Sequence, residues 1–325
     1  MEKKIQNIIF PANEKFQMQW QLFYKGNNGN LDREHQLLRM GKYQTFDFTT
    51  YLNGCSWGKW RKYTNIRNLK LRLEIEGNFK ITLVGYHLDL YSPERNEFLV
   101  RELNPESKKM IEIEYPDHSE NIVGFEISTF GDCILYGGSY IGTYDVEDER
   151  EVVLSLATTT CRKEKFITSN MEILKKEIIE SEDEKIKNNI YIHVIDNGRS
   201  LIPNEWNEPH LKVHPNKNTG GSGGFARGML ESLHQTPRAT NVLLMDDDVL
   251  VLPESIKRTY ILLSLLKPEY KDWFISGAML YYEEMNTQHE DIGTVHRNAD
   301  FCSLKPKLFH DSLKDNLTNE LDFLE

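Results

Sequence analysis

A chain of 325 residues with 39% hydrophobic and 27% charged side chains has a globular composition and enough length for two cores or one large one. Its 39 Lys and Arg stand against 50 Asp and Glu, a formal net charge of −11. No Lys/Arg run offsets that balance, which excludes a basic nucleic-acid footprint. An acidic body that handles an anionic ligand needs local help, from a metal ion or from backbone N–H groups.

Met1-Glu-Lys-Lys-Ile is not followed by a long apolar core, so no secretory signal is expected. No stretch approaches the roughly 18–20 apolar residues of a membrane span. The four cysteines, Cys55, Cys133, Cys161 and Cys302, show neither CxxC nor Cys/His spacing. Structural zinc is therefore not expected, and reduced thiols in the cytoplasm are the default. Peripheral attachment to the inner face of the cytoplasmic membrane stays open.

Residues 1–148 read as all-β. Leu69, Leu71, Leu73 and Ile75 alternate with Lys70, Arg72, Glu74 and Glu76; after Gly77-Asn78 the alternation resumes at Phe79, Ile81 and Leu83. That pattern predicts a hairpin. Further strands are predicted over 97–102, 110–115, 122–128 and 133–141, separated by Pro, Asn, Asp and Gly turns. Short strands at this spacing predict a jelly-roll-like sandwich. The aromatic stretch over 43–63 (Phe46, Phe48, Tyr51, Trp57, Trp60, Tyr63) is expected to be core or packing rather than a sugar-stacking surface.

The acidic run over 145–151 reads as a linker. Beyond it the pattern becomes α/β over 149–325: a strand over 152–157, a helix over 166–180, a strand over 189–195, helices over 225–234 and 255–266, and strands over 242–245 and 273–280. Alternating strands and helices predict a parallel, Rossmann-like sheet. Ligands of such sheets lie beyond the carboxyl ends of the strands.

Three strand-end segments carry polar groups suited to one ligand. Thr158, Thr159, Thr160, Arg162 and Lys163 offer hydroxyls and cations for phosphate oxygens. Asp196 and Asn197 could pair with a base or a ribose. The segment 218–228, Asn-Thr-Gly-Gly-Ser-Gly-Gly-Phe-Ala-Arg-Gly, lets backbone approach a ligand at Gly220 and Gly221 and opens a helix whose N–H groups favour anions. It has no Walker lysine and does not directly follow a strand, so it is neither a P-loop nor a dinucleotide fingerprint. The strand over 242–245 then delivers Asp246, Asp247 and Asp248. Three adjacent carboxylates repel one another, and a hard divalent cation, Mn²⁺ or Mg²⁺, fits them best. The bland alternative is a solvated acidic turn.

In this order and spacing, Thr158-Thr-Thr-Cys-Arg-Lys163, Asp196-Asn-Gly-Arg199, the glycine-rich segment and Met245-Asp-Asp-Asp-Val249 resemble the nucleotide-sugar half of a GT-A glycosyltransferase of family 2. The resemblance is strongest to bacterial galactofuranosyltransferases, in which a β-sandwich precedes this domain. It implies a β-sandwich followed by a GT-A domain, a UDP-sugar donor and a glycan or lipid-linked glycan acceptor. It also implies metal-coordinating roles for Asp246 and Asp248, and nucleotide-sugar contacts that extend to Asp247. Asn218 and Arg199 would lie beside the nucleotide, Asp196 would read the uracil or ribose, and either Arg162 or Lys163 would be the basic residue near it. A homo-oligomer is compatible with the exposed edge of a sandwich.

In the resembled enzymes the catalytic base and a Trp-Trp acceptor platform come later in the chain. The expectation is therefore a GT-A domain incomplete at its C-terminal end, with the base beyond Glu325, and a fragment that transfers sugar poorly or not at all. The other candidates for the base are Glu283, Glu284, His289, Glu290 and Asp291. Two rival classes remain: a non-catalytic module that binds glycan or nucleotide sugar, and a nucleotidyltransferase, for which 158–163 lacks the glycines.

Overall fold

The computed structural model describes residues 1–27, 29–290, 293–295, 297, 301–303 and 307–321. They form two compact units, Met1–Asp148 together with Leu265–Glu325, and Glu149–Ser264.

The first unit opens with β1 (Glu2–Ile8), α1 (Glu14–Gln17), β2 (Lys25–Gly26), β3 (Asn30–Asp32), β4 (Leu37–Met40), β5 (Thr45–Asp47) and α2 (Trp57–Tyr63). It continues through β6 (Asn68–Glu76), β7 (Phe79–Asp89), β8 (Ser92–Leu103), β9 (Lys109–Glu114), β10 (Ile122–Thr129) and β11 (Cys133–Thr143). These strands build two antiparallel sheets. One runs β3-β4-β11-β6-β9 with β1 also on β11; the other runs β2-β5-β10-β7-β8. Leu69, Leu71, Leu73 and Ile75 of β6 are buried, while their alternate neighbours face out and pair, Arg72 Nε donating to Glu112 at 2.7 Å and Lys70 to Glu2 at 2.8 Å. The interior is aromatic: Phe48 and Phe125 stack at 4.6 Å, with Tyr24 and Phe46 beside them. Phe46, Phe48, Trp57 and Trp60 of the aromatic stretch are all buried.

The expected hairpin is not formed. β6 pairs with β9 and β11, and β7 with β8 and β10, so the two strands belong to different sheets. Both apolar faces still reach the core, because Gly77 carries the chain from one sheet into the other. Its φ of +107° suits glycine, and a Cβ there would stand 2.4 Å from the Asp132 carbonyl oxygen. Alternation shows which face of a strand is buried and is silent on its neighbours.

The second unit runs β12 (Leu154–Thr160), α3 (Glu164–Leu174) with a π-helical turn at Lys175–Ile179, α4 (Glu184–Asn189), β13 (Ile190–Asp196) and α5 (Pro203–Trp206). Then come β14 (Leu211–Pro215), α6 (Gly220–His234), β15 (Asn241–Asp246) and α7 (Pro253–Leu265). The four strands are parallel in the order β14-β13-β12-β15. Every residue of β13 and all but Thr159 of β12 are buried, as expected of strands covered on both faces. From β12 the chain adds β13 and β14 on one side, then returns to lay β15 on the other. In sheets with such a reversal, ligands bind outside the carboxyl ends of the strands beside it, here β12 and β15.

The glycine-rich segment is mostly helix, not loop: α6 begins at Gly220. A Cβ on Gly224 would lie 2.0 Å from Thr159 Oγ1, and one on Gly228 would lie 2.7 Å from Ala157 Cβ. One turn further on, Ser232 Oγ meets Ser155 Oγ at 2.7 Å. Small residues at every fourth position thus let α6 lie close against β12.

Residues 265–325, expected in the second domain, belong to the first unit. Leu266 bridges to Thr64, and Asn65 N–H donates to the Leu265 carbonyl at 3.0 Å. Of the strand expected over 273–280, only β16 (Met279–Leu280) pairs, with β17 (Gln288–Glu290). A 3₁₀ turn at Pro268–Tyr270 and the Tyr270–Trp273 ring contact at 4.9 Å hold the preceding chain in another course. β18 (Gly293–Val295) pairs with β19 (Phe301–Ser303). Finally α8 (Leu313–Asn319) sets Leu313 and Leu317 against Val84, Tyr86 and Ile122. Among the described residues no helix is long and apolar enough to cross a membrane.

Candidate functional site

Asp246 is the last residue of β15 and lies in register with Thr159 of β12. The buried Asn170 of α3 holds the turn that follows, donating from Nδ2 to the carbonyls of Asp247 at 3.0 Å and Val249 at 2.9 Å. Asp246 and Asp248 are exposed and Asp247 is buried. Lys163 approaches them with Nζ 2.5 Å from Asp248 Oδ2 and 3.6 Å from Asp247 Oδ1. The hydrogen bond between them raises the Lys163 ammonium and lowers the Asp248 carboxyl from their ordinary ranges, so both stay charged.

Thr158 and Thr160 lie inside β12 rather than after it. Both are buried, and their hydroxyls find no hydrogen-bond partner among the described residues. Arg162 follows in the left-handed region, at φ 56°. Beyond that kink Lys163 reaches the carboxylates of the β15 turn, while the Arg162 backbone lies beside Gly198, where a Cβ would stand 2.9 Å from Arg162 N.

At the end of β13, Asp196 is fully buried. Its Oδ1 accepts from Gly198 N–H at 2.9 Å and its Oδ2 from Leu201 N–H at 2.8 Å. The carboxylate therefore orders its own loop and is not presented at the surface. Asn197 joins the strand end to α6, with Nδ2 donating to the Gly220 carbonyl at 3.0 Å and to Thr159 Oγ1 at 3.3 Å. Its Oδ1 accepts from Asn216 Nδ2 at 2.8 Å. Arg199, also left-handed at φ 50°, is exposed and donates from Nε to the Asn216 carbonyl at 3.0 Å.

The N-terminus of α6 completes the arrangement. Asn218 Oδ1 accepts from Gly220 N–H at 3.0 Å, and its amide nitrogen reaches Cys161 Sγ at 3.6 Å. Thr219, the N-cap, makes no side-chain capping bond. A Cβ on Gly220 or Gly221 would meet nothing within 4 Å. Asn218 thus takes the first N–H of a fifteen-residue helix, and the glycines beside it leave room for a ligand that comes close to the backbone of that turn.

The structure brings Thr159, Lys163, Asn197, Asn218, Gly220 and the aspartate turn to one end of the sheet. It turns Asp196 inward and leaves Arg199 at the surface. Glu283 and Glu284 are exposed in the first unit; His289 is also exposed there, edge-on to Tyr281 at 4.6 Å. Asp291, and the side chains of Glu290 and Cys302, fall outside the described residues. Asn170, Asn216, Gly224 and Gly228 do not stand out in the sequence. Only the glycine spacing, repeated with Ser232 every four residues, carries a readable signal.

Among the described residues no group of three or more His, Cys, Asp or Glu side chains converges as a metal cage. The exposed carboxylates of Asp246 and Asp248 are the kind of oxygen donor that a hard divalent ion takes. The cation seated against Asp248 in this structure is the Lys163 ammonium.

Galactofuranosyltransferase GlfT2 of Mycobacterium tuberculosis is 23% identical to the chain over 285 residues, 82% of this chain and 42% of that protein. Galactofuranosyltransferase GlfT2 of Mycolicibacterium smegmatis is 35% identical over 91 residues, 28% of this chain and 13% of that protein. The chain thus spans less than half the length of these curated relatives. The similarity supports a glycosyltransferase. No protein-family model matches. Among solved structures, the Clostridium thermocellum xylanase 10B CBM22-1–GH10 modules align at a TM-score of 0.26 and 9% identity, over 62% of this chain and 39% of that one. A point mutant of a family 29 carbohydrate binding module aligns at 0.26 and 12%, over 44% and 90%. Likenesses this slight carry no fold assignment.

Proposed function

We propose that the chain is the donor-binding part of a glycosyltransferase with a GT-A domain, one that takes a UDP-sugar, galactofuranose first among the candidates, and serves a glycan or lipid-linked glycan acceptor. One observation carries this reading: the Asp246–Asp248 turn stands beside β12, at the end of the sheet where α6 offers an open, glycine-lined N-terminus. The likeness to galactofuranosyltransferases supplies the sugar.

Departure of a nucleoside diphosphate builds negative charge on its phosphates, and a divalent ion on Asp246 and Asp248 would supply Lewis-acid neutralisation there. The chain's own residues do the rest. The N-terminus of α6 favours an anion, and Gly220 and Gly221 would let it approach. Arg162 and Lys163 bring positive charge to an otherwise acidic unit. Asn197 holds the β13 end against α6, fixing the crevice before a ligand arrives. The crevice thus binds and orients the donor, and the general base that an inverting transfer needs beside the acceptor hydroxyl comes from elsewhere.

Titration calorimetry with UDP tests this reading. Affinity should fall roughly tenfold or more, about 1.4 kcal/mol, when Mn²⁺ is replaced by a chelator, and by a similar factor in Asp246→Ala with Mn²⁺ present. Affinity indifferent to both changes would remove the donor site from this turn.

A further inference from the structure

Lys163 sits where a cation bound to the β15 turn would have to act. Its ammonium reaches Asp248 at 2.5 Å and Asp247 at 3.6 Å, and it projects from the N-cap position of α3, next to the left-handed Arg162. The turn carries three carboxylates, a formal −3, which one ammonium reduces to −2. We propose that Lys163 is an exchangeable internal cation. It balances the aspartate turn in the absence of metal, leaves when a divalent ion arrives, and then pairs with the diphosphate of the donor, so that metal and nucleotide load together. This inference rests on the donor-site reading above.

Three features favour exchange over a fixed ion pair. Lysine is a compact charge on a flexible stem, able to move between anions without a planar geometry to satisfy. The side chains of Lys163 and Asp248 are 45% and 46% exposed, and pairs so open to water are readily broken. The backbone that carries the carboxylates need not move when the lysine leaves, because Asn170 holds the carbonyls of Asp247 and Val249. A metal ion arriving alone must displace the ammonium and strand it. With nucleotide present, the diphosphate receives it. That difference is a coupling free energy between the two ligands, and it acts equally in both directions.

The experiment is Mn²⁺ binding to the full chain, read from the free-ion electron paramagnetic resonance signal with and without UDP, in wild type, Lys163→Met and Lys163→Arg. Lys163→Met should bind Mn²⁺ alone up to about fivefold more tightly, the scale of one exposed ion pair. It should bind UDP with Mn²⁺ present roughly tenfold more weakly, and the mutual enhancement of the two ligands should shrink. Lys163→Arg, which keeps the charge, should retain most of the enhancement. A merely structural role would not move the two affinities in opposite directions. If Lys163→Met leaves Mn²⁺ affinity without UDP unchanged or lower while wild type still binds Mn²⁺ and UDP together, the exchange role is overturned and the donor site stands. If no protein in the series binds UDP in a Mn²⁺-dependent way, both are overturned.

Discussion

Among the described residues of the sandwich unit, the non-glycine residues with positive φ are Gln36, Tyr43 and Leu90, all exposed and each on a connection between strands. In the parallel-sheet unit they are Arg162 and Arg199, each just beyond the carboxyl end of a strand. A left-handed residue on a tight surface turn joins two strands cheaply. A left-handed arginine after a buried parallel strand carries a charge at that end of the sheet, and such conformations persist where the surroundings hold them. Orphaned buried hydroxyls do not separate the units, since Thr49 in the sandwich shares that state with Thr158 and Thr160 in β12. The residue type does separate them: both left-handed non-glycine residues of the parallel-sheet unit are arginines, and they follow β12 and β13 at the end of the sheet that carries the aspartates.

The largest test of this contrast is Asp196→Ala. Both carboxylate oxygens accept buried backbone N–H groups that position Gly198, Arg199 and Leu201. Leaving those donors unpaired should cost about 2–4 kcal/mol in urea unfolding. A loss near zero would mean that the β13 loop is ordered by something else, and the contrast would lose its physical basis.

A smaller effect is expected in the sandwich. His118 stacks on Phe98 at 4.4 Å, and burial, helped by the Arg61 guanidinium, pushes its imidazole down to about 4. The unfolded chain takes up that proton near the ordinary value of about 6.5, so between these two pH values the unfolded state binds more protons. Stability from this residue is therefore complete above pH ~6.5 and declines as the pH falls toward 4. Allowing for partial exposure, the decline should be about 1 kcal/mol between pH 6.5 and 5. Urea unfolding of wild type and His118→Gln across that range isolates it; parallel pH profiles would show that the imidazole is not held neutral.

The strand-end aspartates were legible because an apolar run followed by charge fixes both the strand and the place where it stops. The alternation of β6 and β7 was legible for the same reason, but not their separation into two sheets: a Gly-Asn turn serves a hairpin and a crossing between sheets equally well. β14 was missed because Leu211-Lys-Val-His-Pro215 is short, half polar and ends in proline. The strand expected over 273–280 shows the opposite failure, for the apolar run Trp273, Phe274 and Ile275 is exposed and not in a strand. Arg162 and Lys163 could not be told apart in sequence, because the φ that divides them belongs to the fold. The glycines hid their division of labour as well, with Gly224 and Gly228 serving packing while Gly220 and Gly221 face open space.

That last division gives the smallest effect and the sharpest test. Gly221 lies in the first turn of α6, where an added Cβ meets nothing within 4 Å. In the protein alone, Gly221→Ala removes backbone freedom from the unfolded chain and should stabilise it slightly, by up to about 0.5 kcal/mol. Gly224→Ala should do the reverse, since its Cβ would press to 2.0 Å from Thr159 Oγ1. Should a diphosphate rest on the α6 N-terminus, the methyl group at 221 enters the space it needs, and UDP affinity should fall by about threefold to tenfold, roughly 0.7–1.4 kcal/mol, even as thermal stability rises. Stability and affinity moving in opposite directions at a residue with no neighbours would show that the open space belongs to a ligand. Unchanged affinity in Gly221→Ala, with metal-dependent UDP binding intact, would move the diphosphate away from α6 and leave the glycines at 220 and 221 as a requirement of the turn.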